Sequence, residues 1–258
     1  MIRALYSSAS GMKAQELTID VTANNLANVN TNGFKRSQVD FADLLYITER
    51  QAGAEVITGQ PSPIGLQVGS GVRPVGTTKL FTPGTIEQTG NDTDVAIMGE
   101  GFFRVTVNGV DMYTRDGALR PDATGRLVTG DGHPLADGIN VGNASQIDIG
   151  EDGTVSTIVD GQPTIAGNIQ LTRFVNPAGL SNEGNNLYAE TAASGQAVQG
   201  APRDPGFGSL RGKFLERSNV EVVTELIGLI TAQRAYEINS RAIRAGDEML
   251  STTTDILR

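Results

Sequence analysis

Apolar residues recur every seven positions at both ends of this chain, and the middle shows a different rhythm. Near the N-terminus Leu5, Met12, Ile19 and Leu26 keep the seven-residue spacing, with Ile2, Ala9 and Ala23 at companion positions. A narrow stripe of that period, interrupted by Glu16, predicts an amphipathic helix over about residues 2–28. Asn28, Asn30 and Asn32-Gly33 end it, because Asn and Gly accept left-handed backbone angles. Near the C-terminus Val222, Leu229, Tyr236, Ile243, Leu250 and Leu257 repeat at the same interval. They predict a helix roughly 58 Å long, with Ser218 or Asn219 as N-cap and Glu221 in the first turn. A strict seven-residue period over such a length predicts a coiled-coil-like seam. Glu237 with Arg241 and Arg244 with Glu248 add i,i+4 pairs on the outer faces.

Between these ends the punctuation changes. All 10 Pro lie between Pro61 and Pro205, and 26 of the 32 Gly lie between Gly65 and Gly212. Helix interiors exclude both residues, while turn-dense β structure uses them. Asp-Gly occurs at Asp116, Asp131, Asp137, Asp152 and Asp160. Flanked by short apolar alternation, that dipeptide signals hairpins. Strands are expected at Asp94–Met98, Phe102–Val107, Ile147–Ile149, Thr154–Val159 and Ile169–Phe174. The stretch 33–71 lacks periodicity, contains Gly59-Gln-Pro-Ser-Pro63, and reads as an extended connector.

The fold class is therefore α+β. Terminal helices at 1–32 and 216–258 form one α domain, 33–71 is the connector, and 72–215 is a central antiparallel all-β domain. The first helix is long enough to pair with only about half of the second. Apolar surface would stay exposed in a single copy, which soluble monomers avoid. Further copies of the chain are the natural cover, so Leu5, Met12, Ile19, Leu26, Val222, Leu229, Tyr236, Ile243, Leu250 and Leu257 are the candidate self-assembly residues.

Composition narrows the chemistry. The net charge of −9 and scattered Lys and Arg offer no basic patch for nucleic acid. With no Cys there are no disulfides, thiolate nucleophiles or sulfur-ligated metals. The longest strongly apolar run, Leu226 to Ile230, is far short of the ~20 residues of a membrane span. The N-terminus lacks the apolar core of a cleaved signal peptide. His133 is the only histidine and sits in Gly130-Asp-Gly-His-Pro134, a turn setting, with no Gly-x-Ser-x-Gly elbow elsewhere. Asn91-Asp-Thr-Asp94 lacks the Gly and Glu of a calcium loop and reads as an Asx-rich turn. Gly69-Ser-Gly71 and Gly99-Glu-Gly-Phe-Phe103 do not continue to Lys-Ser/Thr, so phosphate binding is unsupported. No catalytic residue, cofactor or metal site is assigned.

Several blocks resemble the axial proteins of the bacterial flagellum, the family of rod and hook subunits. They are Ala23-Asn-Asn-Leu-Ala-Asn-Val-Asn-Thr-Asn-Gly-Phe-Lys35, Phe81-Thr-Pro-Gly-Thr-Ile-Glu-Gln-Thr-Gly90, Asp94-Val-Ala-Ile-Met-Gly-Glu-Gly-Phe-Phe103 and Tyr113-Thr-Arg-Asp-Gly117. Phe174–Leu180, Asn186–Thr191, Leu215-Glu-Arg-Ser-Asn-Val220, Thr231–Ser240 and Asp247–Leu250 complete the likeness, which spans nearly the whole chain. Within the family, the length and the 46–67 connector favour distal-rod over hook members, with a proximal-rod or hook-type subunit as the alternative. The resemblance implies a non-enzymatic subunit of a rigid helical tube, with the terminal helices inside and the β domain outside. The tube would carry torque from motor to hook and enclose the export channel. Its partners would be further copies, proximal-rod subunits, hook or hook-junction subunits, and the surrounding peptidoglycan and outer-membrane ring proteins. It would sit in the basal body within the cell envelope, delivered by type III export without a cleaved signal peptide. A head-to-tail contact that does not close generates such a filament. A different class, a monomeric secreted binding or glycan-processing protein, would instead pair its helices only with each other.

Overall fold

The structure, a computed structural model, describes every residue except Met1, Ala54, Thr58, Gly59, Ser62, Asn143, Ser145, Asp160, Gly161, Leu257 and Arg258. The expected Asp160-Gly161 turn and the seam position Leu257 lie outside the described residues. The chain divides into two units, and each contains discontinuous segments. Unit 1 comprises 1–26, 37–78 and 222–258, and unit 2 comprises 27–36 and 79–221.

Unit 1 is built on two long helices, α1 (Ile2–Ala27) and α2 (Val222–Ile256). They run antiparallel, as three close approaches show. Leu5 faces Gly246, Gly11 faces Asn239, and Asn25 Nδ2 donates to Glu225 Oε2 at 3.2 Å. Small side chains make this possible: a Cβ on Gly246 would lie 2.7 Å from a Leu5 methyl carbon. Ala14 and Ala232 are likewise buried.

The segment read as an extended connector is instead β structure. β1 (Ser37–Asp43) pairs with β6 (Val72–Lys79), and between them β2 (Tyr46–Arg50), β3 (Glu55–Ile57), β4 (Gln60–Pro61) and β5 (Leu66–Gly69) nest as antiparallel pairs, β3 with β4 inside β2 with β5. These strands leave little pattern in the sequence for a physical reason. Period-2 alternation arises when one face is buried and the other wet, and every residue of β2 is exposed. α1 is tied to this β segment by Arg3, 2.6 Å from Glu49, and by Ser10, whose Oγ accepts from the Val72 N–H.

Unit 2 is β-rich and antiparallel. In chain order its strands are β7 (Ile86–Gln88), β8 (Val95–Met98), β9 (Phe102–Val107), β10 (Val110–Thr114), β11 (Arg120–Pro121), β12 (Leu127–Val128), β13 (Gln146–Ile149) and β14 (Thr154–Val159). They continue with β15 (Gln162–Asn168), β16 (Leu171–Arg173), β17 (Ser181–Gly184), β18 (Leu187–Ala189), β19 (Val198–Gly200), β20 (Ser209–Gly212) and β21 (Phe214–Glu216). A six-stranded sheet has the order β17-β18-β10-β9-β16-β19, and β13-β14-β15 form a meander. All five strands expected from the sequence are present, with β16 shorter than the expected 169–174. The β9–β10 hairpin turns on Asn108-Gly109, both at positive φ, an Asn-Gly signal as strong as the Asp-Gly pairs.

Two cores hold the unit. One is mainly aliphatic, with Val95, Ile97, Leu119, Leu127, Val155, Leu171 and Leu210 almost fully buried. The other is aromatic. Phe81, Phe102, Tyr113, Phe174 and Tyr188 meet edge-to-face with ring centroids 4.7 to 5.9 Å apart, the arrangement that ring quadrupoles favour.

Candidate assembly surfaces and a buried ionic node

The seam positions of unit 1 are only partly covered. Leu5, Met12, Ile19, Leu26, Leu229, Ile243 and Leu250 are half-buried, while Val222 and Tyr236 are exposed. The inward face of α2 is carried as much by small and polar residues, namely Glu225, Gly228, Ala232, Ala235, Asn239 and Gly246. A second stripe was not singled out from the sequence. Val223, Ile227, Ile230 and Ile238 are spaced as one helical face, and Ile227 and Ile238 are 60% and 65% exposed. Its spacing mixes steps of three, four and eight, so it forms no seven-residue series.

The nested strands add more uncovered apolar surface. Leu45, Tyr46, Ile47, Leu66 and Val68 are all exposed, Leu45 at 87%. Arg3, Ala4, Ser7, Glu49, Val68, Gly69 and Leu250 line a groove of about 840 Å³ in the same unit.

Unit 2 contains a node that the sequence reading did not foresee. Lys35 and Glu216 are both buried, and Lys35 Nζ lies 2.5 Å from Glu216 Oε1 while also donating to the Thr82 carbonyl at 2.8 Å. The Gly84 N–H donates to the same Glu216 oxygen at 2.9 Å. Arg115, also buried, sits 3.6 Å from the other Glu216 oxygen and packs over the Phe102 ring. Burial pushes the Lys35 pKa down; Glu216 opposes this through charge and hydrogen bond, and Arg115 adds to it. Burial also lowers that of Arg115 against the pull of Glu216. One carboxylate thus serves two buried cations, and Glu216 Oε2 and the Arg115 Nε and Nη1 atoms have no hydrogen-bond partner among the described residues.

The resemblance blocks converge here. Lys35 ends one, Thr82 and Gly84 belong to the next, and Arg115 and Glu216 belong to two more. Gly33 also has a tertiary reason: its φ is +68°, its N–H donates to the Glu216 carbonyl at 2.8 Å, and a Cβ would lie 2.6 Å from the Arg115 backbone. Asn219 does not cap α2, which begins at Val222. Its side chain accepts from the Arg36 N–H at 2.7 Å and donates to the Leu80 carbonyl at 2.8 Å and to Thr82 Oγ1 at 2.9 Å. Polar residues in a short Leu-Glu-Arg-Ser-Asn run resemble a helix cap in sequence, and only the fold shows what they reach.

The remaining candidates are local. His133 closes a turn with Thr129, whose N–H donates to the His133 carbonyl at 2.9 Å. Asn91 Nδ2 donates to Asp94 Oδ2 at 3.1 Å within an Asx-rich turn. No helix is long and apolar enough to cross a membrane among the described residues.

Three family models of flagellar rod and hook proteins match segments of this chain. One described as flagella basal body rod protein matches residues 5–35, one as flagellar hook protein FlgE/F/G D1 domain matches 96–157, and one as flagellar basal body rod FlgEFG protein C-terminal matches 211–256. The chain is 45% identical over 260 residues to flagellar basal-body rod protein FlgG of Buchnera aphidicola subsp. Schizaphis graminum, covering 99% of this chain and 100% of that one. It is 43% identical to the FlgG of Borreliella burgdorferi over the full length of both chains, and 44% identical to that of Caulobacter vibrioides over 99% of each. The chain belongs to the flagellar basal-body rod protein family.

Proposed function

We propose that the chain is the repeating structural subunit of the distal rod, a rigid helical tube that passes torque from motor to hook and surrounds the export channel. The observation that carries this is the uncovered apolar surface of unit 1. Val223, Ile227, Ile230 and Ile238 on α2 and Leu45 to Ile47 with Leu66 and Val68 on the nested strands form faces that one copy leaves in water. Contiguous apolar surface of this kind marks protein contacts. In this reading 1–32 and 216–258 polymerise, with Leu5, Met12, Ile19, Leu26, Val222, Leu229, Tyr236, Ile243, Leu250 and Leu257 in coiled-coil-like contacts. The 33–71 segment braces neighbouring copies, and 72–215 faces the peptidoglycan and outer-membrane rings. Proximal-rod and hook or hook-junction subunits adjoin the two ends of the tube. The subunit reaches the envelope unfolded, by type III export and without a cleaved signal peptide. Its role is mechanical rather than enzymatic.

The test is assembly. Purified protein at high concentration should form straight tubes in electron micrographs, and the gene should restore motility to cells lacking their own rod subunit. A chain that stays monomeric and restores nothing would overturn the proposal.

A further inference from the structure

The chain passes between its two units four times, after residues 26, 36, 78 and 221. On each side, three of the four segments that make these passages are held by one asparagine. In unit 1 the fully buried Asn25 grips the backbone of Ser37 twice, accepting from its N–H at 2.9 Å and donating to its carbonyl at 2.8 Å. Its amide also reaches Glu225, so the end of α1, the start of β1 and the start of α2 are tied at one side chain. In unit 2 Asn219 ties Arg36, Leu80 and Thr82 to the residues just before α2, and the Leu80 N–H donates to the Arg36 carbonyl at 2.9 Å. Lys35 and Glu216 anchor the neighbouring residues of the same segments to the β core. Arg36 and Ser37 are consecutive, so the two asparagines hold opposite ends of one peptide link.

A lone backbone passage turns about φ and ψ at every residue. Several passages whose ends are fixed in register cannot turn independently. An amide suits the task because it accepts and donates at once, which neither a carboxylate nor an alkyl group does. We propose that Asn25 and Asn219 are positioning residues that make the four passages take torque together rather than singly. The inference rests on the reading of the chain as a rod subunit.

The experiment uses the full chain in cells lacking their own rod subunit, with Asn219→Leu and Asn25→Leu, which remove acceptor and donor together, compared with the parent. Swimming speed and the motile fraction are measured in media of increasing viscosity. Hydrogen exchange at the Arg36 and Ser37 amides, with β9 as control, reports whether each clamp has opened while the core stays folded. The expected result is near-parental flagellation and swimming in thin medium, a several-fold fall in motile fraction in thick medium, and faster exchange at the clamped amides alone. Variants with opened clamps that follow the parent at every viscosity would overturn the proposal. So would folded variants that build no flagella even in thin medium, since the amides would then serve assembly and not load. Failure of the parent itself to restore flagella would overturn the rod reading and the clamp with it.

Discussion

Glu216 faces two cations where water does not reach, and that makes the surrounding residues sensitive to small changes. Removing one partner of a buried pair typically costs about 3–5 kcal/mol, because the other charge is stranded. Glu216→Gln leaves both Lys35 and Arg115 without their carboxylate and should therefore lower the stability of unit 2 by that order, read in denaturant titrations followed by the near-ultraviolet signal of the aromatic core. A loss below about 1 kcal/mol would mean that water enters and hydrates the two cations. Tyr188 supplies a pH test. Burial raises its pKa above the usual 10, with Arg115 opposing and Glu216 adding. Above pH 10 the unfolded chain therefore loses this proton while the folded chain keeps it, so stability falls as pH rises. Tyr188→Phe should flatten that fall relative to the parent between about pH 10 and pH 11, and equal slopes would count against a dry hydroxyl. None of this was legible in the sequence. Lys35, Arg115 and Glu216 lie in separate blocks, and a charged residue in a linear pattern reads as solvated unless its partner is already known.

At the scale of elements, the two α2 stripes lead to different expectations for folding and for assembly. Ile227 is 60% exposed, so Ile227→Asp should change the melting of a single copy little, within about 0.5 kcal/mol. In a polymer it would place a carboxylate in an apolar contact, which costs several kcal/mol in every subunit, and tube growth should stop. Ile243 is half-buried against its own unit, so Ile243→Asp should lower both the melting temperature and tube yield. Tubes of normal length from Ile227→Asp would remove that face from the assembly contact. The nested strands make a separate prediction. Deleting 51–63 takes out β3 and β4 while leaving the β2–β5 pair, and tubes should still form but bend more readily in micrographs. Straight, equally stiff tubes would leave the brace without a role. Helix existence was legible at both ends, because the stripe spacing survives whether its cover is internal or external. The β2–β5 segment was not, because strands with both faces uncovered write no alternation into the sequence.

For the molecule as a whole, both units are discontinuous, and the boundary between α and β composition is not the boundary between compact units. The residues 27–36 belong with the β unit through Gly33, Phe34 and Lys35, although they follow directly on a helix. This gives a distinctive expectation for limited proteolysis of the dilute protein. Unit 1 is the part whose apolar faces one copy leaves bare, and helices without full packing are marginal. Cleavage should therefore remove most of it and leave two pieces, a short peptide around 27–36 and a large one around 79–221. They should co-elute under native conditions and separate in denaturant. A resistant product that keeps 37–78 and the terminal helices would mean that unit 1 is stable without neighbours. The sequence located the β core within this unit, since Gly and Pro density marks it. It could not assign the short strip before β1, whose membership depends on a residue far along the chain.

That distance has a temporal side. Lys35 and its carboxylate partner are 181 residues apart, so any chain that emerges end-first from a narrow passage releases one of them long before the other. Contacts of such separation form late, because the intervening loop must close first. Until residue 216 is out, the cation lacks its carboxylate, although Thr82 and the Arg115 backbone are already there for its strip to meet. For a chain delivered in that way, the order in which residues leave the passage would act as a timer, delaying completion of the β unit until its last strand has arrived.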